Sequence, residues 1–340
     1  MQLSDFTVKY SKLFKNKYNI THDNKLLVSL LNEYNNILKY IKYKQIDFTI
    51  KKTTINIDKF LIGDFVYKKN IIANICKYNQ DYVVYWDGNY IYIKTDKLFA
   101  NYHTRINMII NFIEYIKNKN NNNKKVTIYL VLTDLYKKLP TKTIIRAKHV
   151  NTGYTDFNEN IIFIWRYEEF EKVLFHEIIH YYNQDHSDVN YKLDNPINIT
   201  HNNDAYYEAF TDYYAICYHI IYVSMLTKIK IKTILELELA FIANQAQVLN
   251  NYYKLGDWNH MNRIRVNIKQ KTPAFSYYIV KHLLFEYNLD NDNDNDNDND
   301  NDNDNDNDIN RILNLVLNKG FKSTDFKYLE SLRMTLFTLY

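Results

Sequence analysis

The hydrophobic pattern changes its period along the chain. Leu26, Leu27, Leu30, Leu31, Tyr34, Ile37 and Ile41 recur at helical spacing, so the first forty residues read as helix. Short strand-like runs follow, the clearest over 82–94, where YVVYW and NYIYIK flank Asp87-Gly88, a pair favoured in two-residue hairpin turns. The spacing predicts a helix over 105–116, a polar surface loop over 118–125, and strands over 126–132 and 161–165. Beyond Trp165 the pattern is almost wholly helical. One helix runs to about Tyr182, with Glu168, Glu169 and Glu171 crowding its start, where negative charge suits the helix dipole. A polar loop over 183–203 leads to a helix opening at Asp204. Further helices are predicted over 232–254, over 272–287 with Pro273 in the first turn, and over 323–338. A strand-rich first part giving way to helices predicts an α+β fold.

Composition narrows the class. The 340 residues leave room for one large domain or two modest ones. Two cysteines, Cys76 and Cys217, exclude a disulfide framework and any Cys-x-x-Cys pair. The N-terminus lacks the apolar core of a signal peptide. The longest apolar run, 215–226, is shorter than the roughly 20 residues of a membrane span. The expectation is an intracellular protein without a membrane span, cytoplasmic or packaged in a virion. Tyrosine occurs 33 times against five glycines and three prolines, the bias of AT-rich codons in a protist or large DNA virus. Most tyrosines are therefore read as filler.

Residues 290–308 alternate ten aspartates with nine asparagines and are predicted to be disordered. They lack the glycines that calcium loops require. Without those aspartates the chain carries a net charge of +14, but its lysines are scattered and no aromatic-interleaved basic motif accompanies them. A nucleic-acid partner is not expected on that pattern.

The chemistry concentrates at His176-Glu177-Ile178-Ile179-His180, an HExxH inside a predicted helix. Residues four apart lie on one helical face, about 6 Å apart along the axis, so His176 and His180 present two imidazoles to one point. Glu177 projects beside them, placed to act on a water without ligating the metal. A chance HExxH in a chain of this composition is expected about 0.01 times. A catalytic zinc takes three protein ligands, and two residues compete for the third place. Glu208 and Asp212 in Glu208-Ala209-Phe210-Thr211-Asp212 are four apart on the next helix. Glu208 is placed to ligate, and Asp212 to accept the outer N–H of His176. His186 is the other candidate, because HEIIHYYNQDH fits HExxHxxGxxH with Asn183 at the glycine, and asparagine best tolerates a left-handed backbone.

With Glu208, the pattern resembles the gluzincins, the thermolysin-like clan of zinc metallopeptidases, which pair HExxH with a helical Glu-Ala-x-Ser/Thr-Asp. With His186 it resembles the metzincins, whose methionine turn would fall to Met261, since Met225 lies in a helical run. The gluzincin match is favoured because it needs no substitution in its motif. It implies a zincin-like domain with a small mixed sheet, an active-site helix and a mainly helical remainder. It also implies one Zn2+ per chain, Glu177 as general base, and a peptide or protein substrate lying along the strand 161–165. A downstream residue would steady the oxyanion. Tyr277 is assigned to that place, with Tyr278 and His260 as alternatives. The chain then divides into an N-terminal α+β region of unassigned role (1–120), the metallopeptidase domain (121–289), the repeat (290–308) and C-terminal helices packed on the catalytic domain (309–340). The 27 residues between His180 and Glu208 exceed the family's usual spacing. Rival readings are an amidase or inactive relative, and a basic, non-enzymatic binding protein with a fortuitous HExxH.

Overall fold

The computed structural model describes residues 1–57, 68–96, 100, 102–141, 143–185, 189, 197–200, 205–257, 266–290, 305–322 and 331–339. The N-terminal helical stretch is two helices, α1 (Asp5–Phe14) and α2 (Lys25–Tyr43). Side-chain caps account for the break: Ser4 accepts the N–H of Thr7, and Asn24 that of Leu27. After β1 (Thr49–Lys52) and α3 (Lys68–Ile75) comes the hairpin of β2 (Gln80–Trp86) and β3 (Asn89–Thr95). Asp87 and Gly88 take φ of 40° and 77°, the positive pair that this two-residue turn requires.

The helix α4 (His103–Lys119) returns to β4 (Thr127–Thr133), followed by β5 (Ile145–Arg146) and α5 (Ala147–Val150). The strands β6 (Gly153–Asp156) and β7 (Ile161–Arg166) then deliver α6 (Phe170–Tyr181). The remainder is β8 (Ile197–Thr200), α7 (Tyr207–Thr227), α8 (Ile231–Tyr253), β9 (Val266–Lys271), a π-helical turn (Ser276–Val280) continuing into α9 (Lys281–Asp290), and α10 (Asn305–Lys319). Among the described residues no helix is long and apolar enough to cross a membrane.

The chain forms a mixed six-stranded sheet in the order β1-β2-β3-β4-β7-β6, parallel at β3–β4 and β4–β7 and antiparallel elsewhere. A small parallel sheet follows the order β5-β9-β8. The two-residue alternation sends Val84, Trp86, Ile91, Ile93, Ile128, Leu130, Ile162 and Ile164 into a core shared with α4, α6, α7 and α8. The opposite face carries Phe163 and Trp165, packed with Ile71 and Ile75 of α3. The β3–β4 ladder carries one sheet across residue 120. Mixed α/β architecture with helix predominating agrees with the α+β expectation.

Two expectations need correction, and a third gains partners that the sequence did not name. The strand 161–165 lies inside the sheet: β7 is hydrogen-bonded to β4 on one side and β6 on the other, so among the described residues β6 forms the border. Glu168, Glu169 and Glu171 do crowd the start of α6, with Glu169 at its N-cap and Glu171 in its first turn, and they have partners besides the helix dipole. All three are buried and face cations, Glu171 meeting Arg105, Glu169 meeting Lys137 and Glu168 meeting Arg333. The predicted helix over 323–338 fails over its described part, because residues 331–338 are not helical and are largely buried. Side chains take over its backbone hydrogen bonds. Glu169 accepts the N–H of Met334 and Thr335, Glu238 accepts that of Leu336, and Gln245 and Tyr278 donate to the carbonyls of Ser331, Leu332 and Arg333. The stretch 323–330 lies outside the described residues. So does 291–304 of the Asp/Asn repeat, whose flanks Asp290 and 305–308 close α9 and open α10.

Glu169 joins these features. It sits at the N-cap of α6 with φ 62°, fully buried, holding both the Lys137 ammonium at 2.8 Å and the C-terminal segment. Glu169→Ala strands a buried cation and two N–H groups, so a loss of about 3–5 kcal/mol is expected in urea unfolding. An unchanged midpoint would mean the network is dispensable.

Candidate metal centre

The central residues sit on two adjacent helices. On α6, His176 and His180 are one turn apart with ring centroids 4.6 Å apart. On α7, Glu208 occupies the first turn, where the helix dipole favours an anion, and Asp212 lies one turn further in. The Nε2 atoms of the two histidines approach to 2.9 Å, and Oε2 of Glu208 lies 3.1 Å from His176 Nε2 and 3.3 Å from His180 Nε2. Among the described residues, these three form the group whose ligand atoms converge closely enough to hold a metal ion. Donors about 2.0–2.1 Å from a tetrahedral ion stand about 3.3 Å apart, close to the separations here.

The outer nitrogens explain why that point wants a cation. His176 Nδ1 lies 3.0 Å from Asp212 Oδ1, and His180 Nδ1 lies 2.5 Å from Asp185 Oδ2. Each Nδ1 therefore donates its hydrogen to a carboxylate, which leaves both Nε2 lone pairs aimed at each other and at Glu208. Three acceptors around one point repel unless a proton or a metal ion sits among them. The donor set, two imidazoles and one carboxylate, fits a divalent ion of zinc's ligand preference. Electrostatics follow the same geometry. Burial opposes the charged form of His180, but Glu208 and Asp185 outweigh it and push its pKa up to about 10. Burial likewise opposes ionised Glu208, yet the two histidines hold its carboxyl well below the ordinary range.

Asp212 is anchored more strongly than the sequence suggested. Besides His176, it binds the ammonium of Lys172 and that of Lys281, the latter at 2.6 Å. Burial opposes its charge, but the two lysines hold its pKa well below the usual carboxylate value. Burial also pulls Lys172 down to about 8, against the attraction of Asp212. Lys281 follows directly on the π-helical turn Ser276–Val280.

Glu177 points to the border strand. Thr155 of β6 donates to Glu177 Oε2 at 2.8 Å, so the carboxylate is held beside the triad and not within it. A Cβ at Gly153 would come within 3.2 Å of Glu177 Oε1 and 2.5 Å of Ile164 Cδ1, which explains the glycine in a strand pressed against the helix. The Tyr277 ring lies 5.8 Å from that of His176. Burial, then the nearby carboxylates, raise its pKa well above the ordinary value, so its hydroxyl stays protonated. Tyr278 is committed elsewhere, donating to Leu332 O at 2.6 Å.

The competing residues are less fully described. Asn183 adopts φ 55°, the left-handed conformation anticipated for it, while His186 lies outside the described residues, as do His260 and Met261. Met225 is a buried residue of α7. Sequence reasoning missed Asp185, Thr155, Lys172 and Lys281, along with Tyr207, whose ring lies 6.0 Å from that of His180. The available signal was a lysine inside each of two apolar helices, at 172 and 281, where an unpaired charge is not tolerated.

Comparison with protein-family models, with curated proteins and with solved structures gave no match. A test of the centre follows from His180. Its proton, held up to about pH 10, must leave before a metal binds. Apparent metal affinity should therefore rise about tenfold per pH unit between roughly pH 7 and 9, by competition titration with a chelator. A flat profile would place the metal elsewhere.

Proposed function

We propose that the chain is a zinc-dependent metallopeptidase with a zincin-like, gluzincin-type catalytic unit, hydrolysing peptide bonds in peptides or proteins. The observation that carries this reading is the convergence of His176, His180 and Glu208 beside a carboxylate, Glu177, that stays outside the ligand set. His176, His180 and Glu208 would hold the ion, with Asp212 and Asp185 fixing the imidazole tautomers. The chemistry a zinc ion supplies is Lewis acidity toward a carbonyl oxygen and toward a water molecule.

This chain's own residues perform the remaining steps. Glu177 takes the proton of the attacking water and delivers it to the leaving amine. Thr155 steers that carboxylate by donating to one oxygen, leaving the other to accept. The Tyr277 hydroxyl, kept neutral by burial, is the donor available to a developing oxyanion. Among the described residues β6 is the last strand of the sheet, and an extended substrate would join there as an added strand beside Glu177. This assigns to β6 the substrate role expected of the strand 161–165.

Four substitutions test the assignment. Glu177→Gln should retain one zinc per chain and lose hydrolysis by a factor of about 10²–10⁴, read by peptide cleavage and metal analysis. Retained cleavage would remove Glu177 as the base. Glu208→Ala should lose bound zinc while His186→Ala keeps it; the reverse pattern would move the third ligand to His186. Tyr277→Phe should lower kcat by about 10²–10³ with little change in KM. Equal activity would assign the oxyanion donor to another group.

A further inference from the structure

A small cavity, about 30 Å³, opens beside the centre and shares its walls with His176, Glu177 and Tyr277. By volume it holds one or two waters, or a group of methyl or hydroxymethyl size. Its apolar walls include Val150 and Val173, and one wall is Met334 of the non-helical C-terminal segment. Met334 is far from the motif in sequence, and it is fixed there at both ends. Its N–H is held by Glu169, and its sulfur lies 3.4 Å from the Lys172 ammonium that binds Asp212. Thr152, just before β6, also lines the cavity, and its buried hydroxyl has no hydrogen-bond partner among the described residues.

We infer that this cavity is the subsite for a substrate side chain next to the cleaved bond, that it selects alanine or serine, and that Met334 sets that limit. The inference rests on the peptidase reading for the identity of the ligand. The size limit itself follows from the walls. A leucine or phenylalanine side chain cannot enter unless Met334 moves, and Met334 is tied by its backbone to a buried glutamate. Serine gains over an apolar side chain of similar size because its hydroxyl meets that of Thr152. Lys137 also lines the cavity, but its ammonium is committed to Glu169 at 2.8 Å, so an acidic side chain finds no free counter-ion there.

The experiment uses blocked hexapeptides that differ at one central position (Ala, Ser, Val, Leu or Phe), in two series that place this residue before or after the cleaved bond. Binding is measured by calorimetry on zinc-loaded Glu177→Gln protein, and cleavage on the wild type. In one series, alanine and serine should exceed leucine and phenylalanine by at least about tenfold. Met334→Ala should bring leucine to within about threefold of alanine, and Met334→Leu should preserve the wild-type order. Thr152→Val should remove the advantage of serine over alanine. A wild type that prefers leucine or phenylalanine in both series overturns the inference, as does an unchanged order in a Met334→Ala protein that melts cooperatively. Size-selective binding without wild-type cleavage would support the cavity assignment and contradict the hydrolytic reading. Absence of both binding and cleavage would overturn the two together.

Discussion

Two imidazole nitrogens and a carboxylate oxygen share one point because their other bonding options are taken. Asp212 and Asp185 hold the outer nitrogens of His176 and His180, so the inner lone pairs cannot turn away. The arrangement is favourable only around a positive charge, and the surrounding structure serves to keep it in place. Lys172 and Lys281 pin Asp212, and the burial of these charges is tolerable because each has an oppositely charged partner. A protein whose only requirement was stability would do as well with apolar residues there. The metal centre proposed here would require charged groups held at fixed distances.

The same logic extends to the N-terminal end of α6. Arg105, Lys137 and Arg333 meet Glu171, Glu169 and Glu168 around the buried start of the helix that carries the motif. Glu169 also fastens the C-terminal segment, which brings Met334 to the wall of the cavity beside His176. Residues near the end of the sequence thus shape the space next to a motif more than 150 positions earlier. On the proposal made for this cavity, one network would serve both stability and selectivity.

Much of this was legible in the sequence. The Asp-Gly hairpin, the helix carrying HExxH and the helix carrying Glu208 and Asp212 follow from local periodicity and turn chemistry, which depend on near neighbours. The pairing of His176 with His180 was legible for the same reason, since four-residue spacing fixes a helical face, whereas Glu208, on another helix, competed with His186 for the third place. Strand order was not legible: nothing local distinguishes β7, flanked on both sides, from the four-residue border strand β6. The non-helical C-terminal segment was also hidden, because Glu169 and Glu238 supply its acceptors from about 100 to 165 residues away and override its helix-like pattern. Asp185 lay in a polar loop where aspartate carries no signal, although the structure places it against His180. Lysines 172 and 281 were missed as well, although a cation in an apolar helix announces a buried partner even when the partner cannot be named.

X-ray absorption at the zinc edge of the purified, zinc-reconstituted protein tests the central claim most directly. The account predicts one zinc per chain with two imidazole nitrogens and a carboxylate oxygen at about 2.0–2.2 Å. Three imidazoles in the shell would contradict it in favour of His186, and a protein that retains no zinc after reconstitution would contradict it altogether.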